Sequence, residues 1–292
     1  MKNDKRITVI RIGLFLLLAF LPAIIIQIVA SDSNGNYRSV TASETMMFFP
    51  ALANIAARLL TKEGLEESYL KINIKGHRRY YIAALVLPLI MGVVEGAVFV
   101  IMKEKNYSLS DAIKVIGGGK VLVGTFLILF CTAIAQFYKG FGEEFGWRGY
   151  LTPKLEKLMP EPAAVVLTGI LWGLWHAPMI AQGYNFGRDY KGFPVLGIVL
   201  MCVSCIFNSI ILTYLTKKTG SVYPAAILHI VLDVMMSTVA MIIISDPMMI
   251  EKYDFLISMI LMIYVPAVAA IVTAGIAVVS RIKGKGKIEV RG

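Results

Sequence analysis

A chain of 292 residues that is 57% hydrophobic and 16% charged, with a mean hydropathy of +0.72, lacks the polar surface that a water-soluble domain requires. Its 29 Lys and Arg against 19 Asp and Glu leave a charge of +10. The cations cluster between apolar runs, so anionic lipid headgroups rather than nucleic acid are the expected partner.

The expected fold is all-α, a polytopic bundle of about eight spans of ~20 residues each. The basic Met1–Arg6 segment precedes an apolar run from about 7 to 30. Ile28-Val29-Ala30 is a poor cleavage site, so this run reads as a retained first span. Further runs centre on 44–60 and 80–102, and Pro88, Gly92 and Gly96 inside the latter are tolerated in bundled membrane helices. Glu95 in that run is assigned to snorkelling or helix pairing. In the 103–120 loop, Leu109, Ile113 and Ile116 at helical spacing predict a short interfacial helix.

The remaining runs are 120–140, 162–181, 193–216, 221–244 and 254–280. Cys131, Cys202 and Cys205 all lie in apolar runs and read as packing residues rather than redox or zinc thiols. Alternate connections (the N-terminus, 58–79, 139–157, 217–218 and the C-terminal tail) hold 21 of the 29 cations, which places both termini in the cytoplasm. Three parts are expected: N-terminal spans over 1–119, a catalytic membrane core over 120–245, and a last span with a basic tail over 246–292.

Ionisable and histidine residues within spans are costly, so each is a site candidate. Of the three histidines, His77 sits in a basic loop, whereas His176 and His229 lie in apolar runs. Between Gly140 and Tyr150 stand two adjacent acids. Glu144 and Arg148 are four apart with the acid first, the favourable order for a helical ion pair. Glu143 points ~100° away and is left without a local partner. A carboxylate among apolar neighbours is poised to act as a general base near neutral pH. Trp172 and His176 share a helix face, so the indole can wall the imidazole, and His229 and Asp233 form a second such pair.

Glu143-Glu144-x-x-x-Arg148, an aromatic residue four before His176, and His229-x-x-x-Asp233 follow one another on three separate spans. Together they resemble the three-motif signature of the CPBP family, which comprises CAAX proteases, including the type II CAAX prenyl endopeptidases, and bacteriocin-processing enzymes. The resemblance covers roughly 140–235. It implies an endopeptidase in the cell membrane acting on a membrane-associated peptide or protein, with Glu143, Glu144, His176, His229 and Asp233 at the site and Arg148 and Trp172 in support. Phe is frequent in the family where Trp172 stands, and the best-known members have Asn where this chain has Asp233.

Two mechanisms stay open. In the favoured one, without a cofactor, Glu143 and His176 activate a water, and His229, with a protonated Asp233 beside it, stabilises the oxyanion. In the other, His176, His229 and Asp233 hold zinc and a glutamate is the base. No H-E-x-x-H, G-x-S-G or G-x-G-D motif occurs. The class rival is a non-catalytic membrane regulator or transporter-like scaffold. Glu143 lies near the expected end of the fourth span and His176 ~21 Å into the fifth, so the two can meet only if one span runs further than hydropathy marks.

Overall fold

Apolar runs too long for strands fold as helices, and the computed structural model, which describes residues 2–32, 35, 37, 40–103, 118–245, 262–264 and 266–278, is all-α. In chain order the helices are α1 (Lys2–Val29), α2 (Val40–Met46), α3 (Phe49–Leu60), α4 (Arg78–Lys103), α5 (Gly118–Ala135) and α6 (Phe137–Gly146). A π-turn, Trp147–Leu151, leads into α7 (Thr152–Glu156). Then come α8 (Glu161–Trp175), α9 (Ala177–Ile180), α10 (Val195–Thr219), α11 (Tyr223–Ser245) and α12 (Met262–Val278).

A helix thus stands at each apolar run. Among the described residues, α1 from Asp4 and α10 are both long and apolar enough to cross a bilayer. The expected interfacial helix at Leu109, Ile113 and Ile116, the Glu95 side chain, the start of the 254–280 run and the basic tail lie outside the described residues.

Large apolar side chains lie exposed while charged ones are buried beside the apolar core. Leu59, Ile128, Val268 and Ile271 are each more than 60% exposed, while Gln27, Asn54, Arg58, Lys139, Glu143, Glu144, Arg148 and Lys154 are buried. Water would reward the reverse arrangement, and a hydrocarbon solvent rewards this one.

Glycines set the closest helix contacts. A Cβ on Gly169 would lie 2.5 Å from the Ile206 Cα, and one on Gly173 would lie 2.4 Å from the Cys202 Cα. The G-x-x-x-G face of α8 therefore lets α10 pack backbone against backbone. Cys202 and Cys205 are free thiols on that face of α10, and the Cys202 thiol donates to the Ile170 carbonyl. On α6, a Cβ on Gly140 would meet the Ala226 carbonyl at 2.7 Å, on Gly142 the Met47 carbonyl at 2.6 Å, and on Gly146 the Pro50 Cβ at 2.3 Å. These contacts wedge α6 between α11 and the α2–α3 junction.

The 139–157 stretch corrects one expectation. It is not a basic connection lying against headgroups but α6, the π-turn and α7. Lys139 is paired with Glu44, Arg148 with Glu144, and Lys154 with Glu63, and all three cations are buried. A charge taken from water must be paired, and the acids that do so come from remote segments as well as from the same helix. Glu63 also meets Arg11 and Arg58, closing an ionic knot between α1, α3 and α7.

Candidate active site

Three irregularities of backbone bring the chemistry together. Helix α5 ends at Ala135 and α6 starts afresh at Phe137, so the chain carrying Glu143 continues to Glu156. Glu143 and His176 are brought near each other through Trp172, which bonds to both. The second irregularity is the π-turn one residue after α6, a feature frequent at functional sites. Its widened winding frees backbone groups that α3 takes up: the Asn54 amide donates to the Phe145 carbonyl at 2.8 Å, and Arg58 donates to the Gly149 carbonyl at 3.4 Å. The third is the break between α8 and α9, where His176 sits.

Glu143 is buried, and its Oε2 accepts from the Trp172 indole N–H at 2.7 Å and the Trp147 indole N–H at 3.3 Å. The sequence reading that left Glu143 without a partner is corrected here. Trp147 is itself one turn away on the same chain, at i+4, and an indole is a donor that charge counting overlooks.

Glu144 is paired with Arg148 at 2.8 Å, and the same oxygen, Oε1, accepts from His229 Nδ1 at 2.7 Å. Arg148 also donates to Ser209 at 2.8 Å, and its guanidinium lies 4.5 Å from the Trp172 ring centroid. One carboxylate therefore ties α6, the π-turn and α11 together, while Arg148 reaches α10 and stacks on α8.

The other ring nitrogen of His229, Nε2, faces Asp233 at 3.5 Å. That is the outer limit of a hydrogen bond, looser than the bond of Nδ1 to Glu144. The Asp233 side chain is 45% exposed, in contrast to the buried acidic pair.

His176 donates from Nδ1 to the Trp172 carbonyl at 2.9 Å, because a carbonyl can only accept. That bond fixes the tautomer and leaves Nε2 as a lone-pair acceptor. The imidazole stands edge-on to Trp175, with centroids 5.0 Å apart, and Trp172 is nearer to His229 (5.2 Å) than to His176 (6.2 Å). Trp172 is thus less a wall for His176 than the centre of the cluster: it touches Glu143, Arg148 and both histidines.

Among the described residues, no three His, Cys, Asp or Glu side chains are gathered as metal ligands. His229 and Asp233 are neighbours, while the bond of His176 Nδ1 to backbone leaves Nε2 as its one ring nitrogen open to a ligand. His176, His229 and Asp233 do not form such a group among the described residues.

Sequence comparison bears on the same stretch. Residues 123–235 match the family described as Type II CAAX prenyl endopeptidase Rce1-like. The chain is similar to "CAAX prenyl protease 2" of Methanococcus maripaludis, 28% identical over 107 residues. That similarity spans 36% of this chain and 38% of the relative. Helices α1 to α4, which supply Asn54 and Arg58, lie before the matched segment.

Proposed function

We propose that the chain, whose residues 123–235 match the Type II CAAX prenyl endopeptidase Rce1-like family, is an intramembrane endopeptidase of the CAAX-protease (CPBP) kind. It hydrolyses a peptide bond of a membrane-associated peptide or protein. The observation that carries the reading is the convergence of three elements on Trp172: Glu144 meets His229 at 2.7 Å across 85 residues, and Glu143 meets Trp172 at 2.7 Å. A scaffold without chemistry has no need to bury two acids and a histidine together.

In this mechanism Glu143 takes a proton from a water whose oxygen attacks the scissile carbonyl carbon. His176, through Nε2, accepts a hydrogen bond from that water and aligns it. His229 donates from Nε2 to the oxyanion, and Glu144 on Nδ1 holds the ring and stabilises its charge. Collapse of the tetrahedral species breaks the C–N bond, and the proton on Glu143 passes to the leaving amine. No cofactor is required.

The protein is multi-pass, with about eight spans, both termini in the cytoplasm and basic connections against anionic lipid, in the cell membrane. The substrate is of the CAAX type or of the bacteriocin or pheromone type. Quenched fluorescent peptides of both kinds, one ending in a prenylated Cys-aliphatic-aliphatic-X sequence, would be offered to the full chain in lipid nanodiscs. Cleavage is expected for the native protein and a loss of at least ~10²-fold for Glu143→Gln. Equal rates for the two proteins would remove Glu143 from the chemistry. Failure of the native chain to cut any peptide would favour the non-catalytic regulator.

A further inference from the structure

The break that carries His176 is closed by a residue from far outside the family-matched segment. In a continuous helix the Met179 N–H would donate to the Trp175 carbonyl, four residues back. Pro178 has no N–H, and its ring clashes with the carbonyl four residues before it, which prises the turn open. Into the gap goes the Gln27 side chain of α1. Its amide nitrogen donates to the Trp175 carbonyl at 3.0 Å, and its amide oxygen accepts from the Met179 N–H at 3.0 Å.

One carboxamide is therefore spliced into a single opened helical hydrogen bond, with His176 between the two residues it joins. Gln27 is fully buried. Its amide orientation is fixed by its partners, since a carbonyl demands a donor and an N–H demands an acceptor.

We propose, resting on the endopeptidase reading, that Gln27 is a positioning residue: by holding the split turn at a set opening it aims the His176 imidazole. The two bonds fix the carbonyl before His176 and the amide after Pro178. They therefore set the backbone from which the ring reaches the Trp172 carbonyl. Glutamine suits the task because its carboxamide offers a donor and an acceptor side by side, as a peptide unit does. Methionine matches its length with neither, and glutamate keeps only the acceptor. The docking of α1 has other supports that such changes leave alone, namely the Trp175 indole N–H on the Ala19 carbonyl and the Gln182 amide on the backbone carbonyl of residue 27.

The test needs a readout that fold maintenance alone would not move. The chain has three histidines, so imidazole 15N spectra of histidine-labelled protein in nanodiscs are simple, and the His176 signals are assigned by their loss in His176→Gln. The native protein should show a single His176 species protonated at Nδ1. In Gln27→Met that species should split or shift while the His229 signals stay, and kcat for peptide cleavage should fall about tenfold or more with KM nearly unchanged. Should Gln27→Met fail to accumulate, Gln27→Glu carries the same comparison, since it keeps the bond to Met179 and loses the one to Trp175. A native-like His176 spectrum in the accumulating variant overturns the proposal, whatever its rate. If the native chain cuts no peptide, the endopeptidase reading falls, while the spectra still decide whether Gln27 aims His176.

Discussion

Glu143 and Glu144 are neighbours in sequence, yet removing their charges should have opposite consequences. Glu144 is the counter-charge of a buried Arg148 and the acceptor for His229. In Glu144→Gln, Arg148 stays buried without its acid, which should cost about 3–5 kcal/mol and appear as a clear fall in unfolding temperature in detergent. Among the described residues, Glu143 accepts from two neutral indoles. An amide oxygen can replace that carboxylate, so Glu143→Gln should unfold close to the native temperature while being inactive. If Glu144→Gln proves the stable, inactive variant, the two roles are exchanged. Asp233→Asn addresses the zinc alternative. An amide is a much poorer ligand than a carboxylate, but serves beside His229 as a donor, so activity should persist and elemental analysis of the native protein should give well under one metal per chain. Stoichiometric zinc, lost together with activity in Asp233→Asn, would make the chain a metalloprotease. The Glu144–Arg148 pair was legible in the sequence because both residues share one helix face. The Trp172–Glu143 bond was not, because it joins residues 29 apart on different helices and involves no formal charge pair.

Helices follow from apolar runs, and a reader of hydropathy alone finds nearly all of them. The interruptions are another matter. The restart at Gln136 and the split at His176 fall within apolar runs, the π-turn at Trp147–Leu151 falls in a charged stretch, and hydropathy marks none of them; Pro178 alone signals the split. Yet these three places decide where the site residues face. Close packing likewise leaves a faint trace, in the recurring glycines of α6 and α8. Gly173→Val should test the α8–α10 seam: even a Cβ would lie 2.4 Å from the Cys202 Cα, and a branched side chain adds to that. Overpacking of this kind costs about 1–3 kcal/mol or more. The measurement is thermal unfolding in detergent, and a value equal to the native one would show that the two helices do not touch there.

For the whole molecule, orientation rests on charge, and the structure changes the count. Arg58, Lys139, Arg148 and Lys154 are buried rather than facing headgroups. Setting them aside leaves 17 cations in one set of alternate connections against eight in the rest of the chain, so the positive-inside argument keeps its direction. A reporter active only outside the cytoplasm, fused to the C-terminus, should give no signal, and a strong signal would overturn either the orientation or the even number of spans. The expected division at residue 119 is crossed by contacts to the site. Helices α1 and α3, which precede it, supply the amides and the guanidinium that brace α6, the π-turn and the α8–α9 split.

Trp147, Trp172 and Trp175 are the three tryptophans of the chain, and all are buried in the one cluster around Glu143 and His176. Intrinsic emission excited at the red edge of the indole band is therefore free of background from elsewhere in the molecule. An unlabelled protein carries its own optical probe: the wavelength of maximum emission reports how wet the cluster is, and energy transfer among the indoles, with the Trp147 and Trp175 centroids 6.0 Å apart, reports whether the cluster is intact. A peptide entering beside Glu143, or a lipid that opens the bundle, should be visible as a change in colour before any bond is cut.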